Sequence, residues 1–157
     1  MRSILAAGIV LAAAFCVSCS ASAMVRIDVD LSAQRMHVES ATGVNFDWPI
    51  SSGKPDDPTP RGTFSPKAFY RIIYSWKYDN EPMPFSIFFL GNFAIHGSRE
   101  VDLLGHPVSH GCVRLAPWNA ATLFDLVRHE GATIHIEGDP PSEAPPPGEA
   151  SDRAYSP

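Results

Sequence analysis

Residues 25–39 read VRIDVDLSAQRMHVE. Val25, Ile27, Val29 and Leu31 alternate with Arg26, Asp28 and Asp30, and Met36 and Val38 alternate with Arg35, His37 and Glu39. A repeat of two puts every second side chain on one face of an extended chain, so each run predicts a half-buried strand. A short turn near Ser32 and Ala33 joins the two into a hairpin. Downstream, Thr42-Gly43 predicts a second turn before a strand over residues 44–50. Residues 85–90 and 93–95 read as more fully buried strands parted by Gly91-Asn92. Three prolines and two aspartates mark residues 53–62 as loop. One helix is predicted: Pro117 suits its first position, Ala120, Leu123, Phe124 and Val127 fall on one face, and Gly131 ends it. Residues 132–137 return as a last strand. There is no internal repeat, and the pattern predicts a mainly β domain, an antiparallel sandwich or barrel-like fold with one or two helices.

The ends of the chain differ in character from this domain. Residues 1–23 carry Arg2, an apolar run over 4–17 and Ala21-Ser22-Ala23, the three parts of a secretory signal, which predicts export to the periplasm or cell envelope and cleavage before Met24. A lipid anchor at Cys19 is the rival reading, but Cys16 stands where such signals usually carry leucine. No later stretch is long and apolar enough to span a bilayer, so no transmembrane segment is expected in the mature chain. Residues 138–157 hold six prolines with Glu, Ser, Ala and Gly, and are expected to form a disordered tail. A single domain over residues 24–137 remains, long enough for a real core. The full chain has 12 basic and 17 acidic residues. Loss of Arg2 leaves 11 against 17, a net charge of −6, which argues against nucleic acid as a partner.

Cleavage would also remove Cys16 and Cys19 and leave Cys112 alone. An unpaired cysteine in an exported chain points to intermolecular pairing or a reactive thiol, against the bland reading of a small buried hydrophobe. Its neighbours favour reactivity. A thiol attacks as thiolate, so it needs a base or cation close by, and histidine titrates in the useful range. Two histidines are candidates: His96 at the end of an apolar strand, and His110, two residues before Cys112 and on its face if the segment is extended. Gly111 between them permits a tight turn and leaves backbone N–H groups near Cys112 able to face a substrate oxygen.

The segment Phe93-Ala94-Ile95-His96-Gly97 followed by Ser109-His110-Gly111-Cys112-Val113-Arg114-Leu115 closely resembles the signature of the L,D-transpeptidase catalytic domain, the YkuD-like family. The resemblance extends to residues 30–36, to Ser52-Gly53-Lys54-Pro55 and to residues 59–64, and so covers about residues 25–137. It implies that Cys112 attacks the carbonyl of the diamino acid at the third position of a peptidoglycan stem peptide and expels the terminal D-amino acid. It further implies that His96 is the base, oriented by the Gly97 carbonyl, and that the N–H groups of Gly111 and Cys112 hold the oxyanion. An amine on a second stem, on an envelope protein or on a free D-amino acid would then take the acyl group. No metal or organic cofactor is implied.

Other readings compete at particular residues. His110 fits either direct catalysis or support of the loop. Arg114 has the fork to grip a substrate carboxylate, and a structural ion pair explains it equally well. Ser109 is a candidate substrate contact or a hydrogen-bond partner of His96, but serines in tight turns usually bond their own backbone. His106 is expected to be an exposed loop residue. Zinc held by His96, His106, His110 and Cys112 is disfavoured because the spacing matches no usual site. A non-catalytic wall-binding module could use Tyr70, Tyr74, Trp76 and Tyr78 as a groove, although aromatics so spaced are more often packing. The same acyl-enzyme resolved by water would give a carboxypeptidase or endopeptidase.

Overall fold

The opening alternation forms the hairpin it predicts. In the computed structural model, which describes residues 24–40, 42–78 and 80–142, strand β1 (Val25–Asp30) pairs antiparallel with β2 (Arg35–Glu39) from Arg26↔Glu39 to Asp30↔Arg35. That register puts Val25, Ile27, Val29, Met36 and Val38 on one face, and all five are buried. The Asp30 carboxylate closes the turn by accepting the Ser32 and Ala33 N–H groups at 2.8 and 3.0 Å. Residues 1–23 and 143–157, which contain the expected leader and most of the expected tail, lie outside the described residues.

Seven more strands follow: β3 (Asn45–Pro49), β4 (Gly62–Phe64), β5 (Ala68–Ser75), β6 (Glu81–Leu90), β7 (Phe93–Gly97), β8 (Val113–Leu115) and β9 (Ala132–Glu137). One sheet has the order β3-β2-β1-β9-β4 and the other β5-β6-β7-β8. The mainly β reading holds, but both sheets are mixed, since β1 runs parallel to β9 and β7 parallel to β8. Parallel neighbours need a crossover rather than a tight turn. Residues 98–112 supply it between β7 and β8. Helix α1 (Pro117–Glu130) leads from the second sheet back to the first.

Helix α1 buries Ala120, Leu123, Phe124 and Val127, and the Gly131 N–H caps it on the Val127 carbonyl at 2.9 Å. Phe124 meets Phe69 and Phe85 edge to face, with ring centroids 5.8 and 5.9 Å apart. A large side chain as fully buried as Leu123 or Phe124 contributes about 1.5–3 kcal/mol, and these two join Ile27, Ile87, Phe89, Ile95 and Ile134 in one core, with Phe69 and Phe85 packed against it. β6 pairs with β7 only from Ile87 onward, while its first half pairs with β5. That half of the hairpin is a two-stranded arm. Beyond β9, the Asp139 carboxylate pairs with Arg61 and its N–H donates to Ser32 Oγ at 3.0 Å, so the first tail residues are tied to the domain. Among the described residues no helix is long and apolar enough to cross a membrane.

Candidate active site

Strands β7 and β8 bring the two halves of the motif together. Their parallel register matches Ile95 with Val113 and His96 with Arg114. Ile95 and Val113 point into the core, so His96 and Arg114 point to the opposite face. Cys112 lies one residue ahead of β8, diagonally across from His96. Both side chains line one cleft of about 530 Å³, with Ser109, His110 and Arg114 on its walls.

The protonation states follow from burial and one hydrogen bond. His96 is 3% exposed. Burial lowers its pKa from 6.5 to about 4, with the Arg114 charge adding to the effect and the Gly97 backbone bond opposing it. The imidazole is therefore neutral at pH 7. Its Nδ1 lies 2.9 Å from the Gly97 carbonyl oxygen, which can only accept, so Nδ1 carries the proton and Nε2 keeps a free lone pair. Burial also pushes the Cys112 thiol above its ordinary value, a backbone hydrogen bond at Ala94 and the Arg114 charge only partly offsetting it. Sγ sits 3.8 Å from the Asn92 carbonyl oxygen. Desolvation thus opposes ionisation of the sulfur more than the nearby Arg114 charge favours it.

The loop carrying Cys112 is fixed from two sides. Ser109 is buried, its Oγ donates to the Cys112 carbonyl at 2.6 Å, and it accepts the Gly111 N–H at 3.1 Å. Ser109 therefore serves its own turn rather than the His96 ring. The Gly111 N–H expected to face substrate is committed to that hydroxyl. Gly111 has φ +101°, and a Cβ there would lie 2.5 Å from the Phe93 ring. A second glycine, Gly53, packs against it: an added Cβ would meet the Gly111 Cα at 2.8 Å and the Asp57 carbonyl at 2.2 Å. Backbone bonds from the Ser109 N–H to the Ser52 carbonyl and from the Lys54 N–H to the Ser109 carbonyl hold the loops together. Gln34 anchors this layer to the first hairpin, donating to Ser52 Oγ at 2.7 Å and accepting the Ser52 N–H at 3.0 Å.

Arg114 is 8% exposed, and its guanidinium reaches Glu100 Oε2 at 2.7 Å and Glu81 Oε2 at 3.2 Å. It sits in the ion-paired setting that was the alternative to a substrate contact. Neither glutamate was singled out in the sequence, since they lie 14 and 33 positions away; the only signal was an arginine on an apolar strand in need of carboxylates. Arg114 thereby ties β8 to the segment after His96 and to the arm. His110 stacks on Tyr78 of the arm with ring centroids 4.1 Å apart and planes 15° off parallel. It is an exposed rim residue, and His106 is half-buried in the crossover. Among the described residues, no three His, Cys, Asp or Glu side chains are grouped to hold a metal ion.

Comparisons with known proteins agree with this architecture. A family model described as the L,D-transpeptidase catalytic domain matches residues 24–140. An L,D-transpeptidase from Mycobacterium smegmatis is 28% identical with TM-score 0.67, over 74% of this chain and 59% of that one. L,D-transpeptidase 1 from Mycobacterium tuberculosis is 26% identical with TM-score 0.60, over 74% and 63%. An L,D-transpeptidase solved in complex with imipenem is 25% identical with TM-score 0.65, over 73% and 59%. The chain spans about three fifths of the length of these proteins. A search of curated proteins gave no match.

Proposed function

The chain belongs to the L,D-transpeptidase catalytic-domain (YkuD) family, and on that footing we propose that it acylates itself at Cys112 with a peptidoglycan stem peptide and passes the acyl group to an amine. The observation that carries the reading is the shared cleft: Cys112 and His96 both line it, and the His96 Nε2 is unprotonated while Nδ1 is held by Gly97. As sulfur bonds to the carbonyl carbon of the third stem residue, Nε2 takes the thiol proton. Charge develops on the carbonyl oxygen, and the Cys112 N–H receives it, since the Gly111 N–H is engaged by Ser109. The C–N bond then breaks and the leaving amine takes its proton from the imidazolium, leaving a thioester. An acceptor amine attacks that thioester, gives its proton to Nε2, and the proton returns to sulfur as the thiol leaves.

Arg114 is a positioning residue in this scheme, joining the strand after the nucleophile to the segment after the base, and His110 supports the rim through Tyr78. Residues 1–23 are an export leader, 24–137 the catalytic domain and 138–157 a tail, which delivers the enzyme to the envelope where its substrate lies. Tetrapeptide-stem fragments incubated with the protein, with and without an acceptor amine, test the proposal by mass spectrometry. The wild type should release the terminal D-amino acid and form the transfer product, and Cys112→Ala should do neither. Processing by Cys112→Ala would refute the assignment. Because a relative binds imipenem, a covalent carbapenem adduct on Cys112 is also expected.

A further inference from the structure

Strand β5 carries Tyr70, Ile72 and Tyr74 at alternate positions, and Trp76 follows just past its end. Alternate positions share a face, and these four side chains are 46, 51, 54 and 85% exposed. β5 is the edge of its sheet, and the Tyr70 ring is braced edge to face on Phe88 at 5.8 Å. From Tyr70 to Trp76 the extended chain covers roughly 20 Å, so the exposed aromatics form a line one side chain wide. Tyr70, Tyr74 and Trp76 also line the cleft that contains Cys112.

The consequence rests on the stem-peptide reading above. The attacked carbonyl belongs to the third residue of a stem whose first residue is bonded to a sugar. Three residues reach on the order of 11 Å at full extension, so with the carbonyl at Sγ the sugar would lie within about that distance of Cys112, on the scale of the cleft itself. On the β5 side the cleft is lined by the aromatic line. We propose that Tyr70, Tyr74 and Trp76 are a platform for the saccharide backbone of the wall strand, with sugar rings stacked on the aromatic planes while the stem hangs toward Cys112. The C–H face of a sugar is apolar and carries partial positive charge, which suits the negative face of an aromatic ring; the hydroxyls at the ring edge stay in water. A linear polymer matches a line of this width, whereas a folded protein partner needs a patch of about 800 Å². Lys67 and Lys77 also line the cleft and would suit the carboxylates of a stem peptide.

Two measurements separate this platform from the chemistry at Cys112. Glycan strands freed of peptide are titrated against wild type, Trp76→Ala and Tyr74→Ala, with intrinsic fluorescence and sedimentation as readouts. KM is then compared for a disaccharide-tetrapeptide and for the free tetrapeptide. Wild type should bind the bare glycan, and each variant should raise KM for the saccharide-bearing substrate about tenfold more than for the free peptide, as truncation of an anchoring aromatic does. Trp76 is too exposed for its loss to unfold the domain. Absence of binding to bare glycan, or an equal effect on both substrates, would overturn the platform while leaving the acyl transfer standing. Failure to process either substrate, with bare glycan still bound through Trp76, would instead strike the reading of Cys112.

Discussion

Replacing His96 by glutamine should flatten the acid limb of the stability curve. The folded-state pKa of about 4 lies below the ordinary 6.5, so between these values the unfolded chain holds a proton that the folded chain does not. Stability then rises with pH across that window; read downward, it is unaffected above about pH 7.5, falls from 6.5 toward 4, and loses nothing further below. Between about pH 7.5 and 4.5 this one group should remove about 2.5 kcal/mol. With a urea slope of about 1.5 kcal/mol/M, the midpoint should drop by roughly 1.7 M. Urea titrations of wild type and His96→Gln at both pH values isolate the effect, because carboxylate titration is common to the two proteins. The variant is less stable at neutrality through loss of the Gly97 bond, yet should fall less on acidification. Parallel losses in the two proteins would show that His96 is not held neutral by burial, and the base assignment would go with it.

Gly111→Ala forces a side chain into a left-handed backbone and against Phe93, and should cost about 1–3 kcal/mol in urea unfolding while slowing carbapenem acylation of Cys112. Gly53→Ala pushes the two supporting loops apart; the same adduct assay should show slower acylation although Gly53 does not touch the cleft. Arg114→Gln, which strands two glutamates, should cost about 2 kcal/mol, against about 0.5–1 kcal/mol for the half-exposed Glu100→Gln. A double-mutant cycle between Arg114 and Glu81 should return a favourable coupling that the Glu100 substitution does not remove.

Legibility in the sequence followed the range of the interaction. The β1–β2 hairpin and the buried face of α1 were readable because a period of two, or of three to four, is a local signal that no residue interrupts. β5 is not legible as a strand, since Tyr70, Ile72 and Tyr74 put apolar groups on the exposed face while Phe69 and Ile73 occupy the other, so no alternation survives. β4 and β8 have three residues each and owe their existence to partners, β8 pairing in parallel with a strand across a long crossover. Cys112, His96 and Gly111 could be selected by residue type. Glu81, Glu100 and the charge state of the thiol could not, because ion pairing across 33 positions and desolvation are products of packing.

That last property bears on how Cys112, the one cysteine among the described residues, would be kept ready for reaction. A permanently ionised thiolate outside the cytoplasm is the form that oxidants and disulfides attack. Here burial disfavours charge on both groups: it raises the pKa of the Cys112 thiol and lowers that of the His96 imidazole, whose Nε2 keeps a free lone pair. In the proposed mechanism the nucleophile would form only as the proton crosses to Nε2 during attack on a carbonyl, when charge moves on to an oxygen that backbone N–H can receive. Desolvation thus opposes ionisation of the resting thiol and favours transfer once a substrate fills the cleft, because a dry site strengthens the hydrogen bonds to the developing oxyanion. On this reading the burial that raises the thiol's pKa also slows its oxidation before substrate enters the cleft.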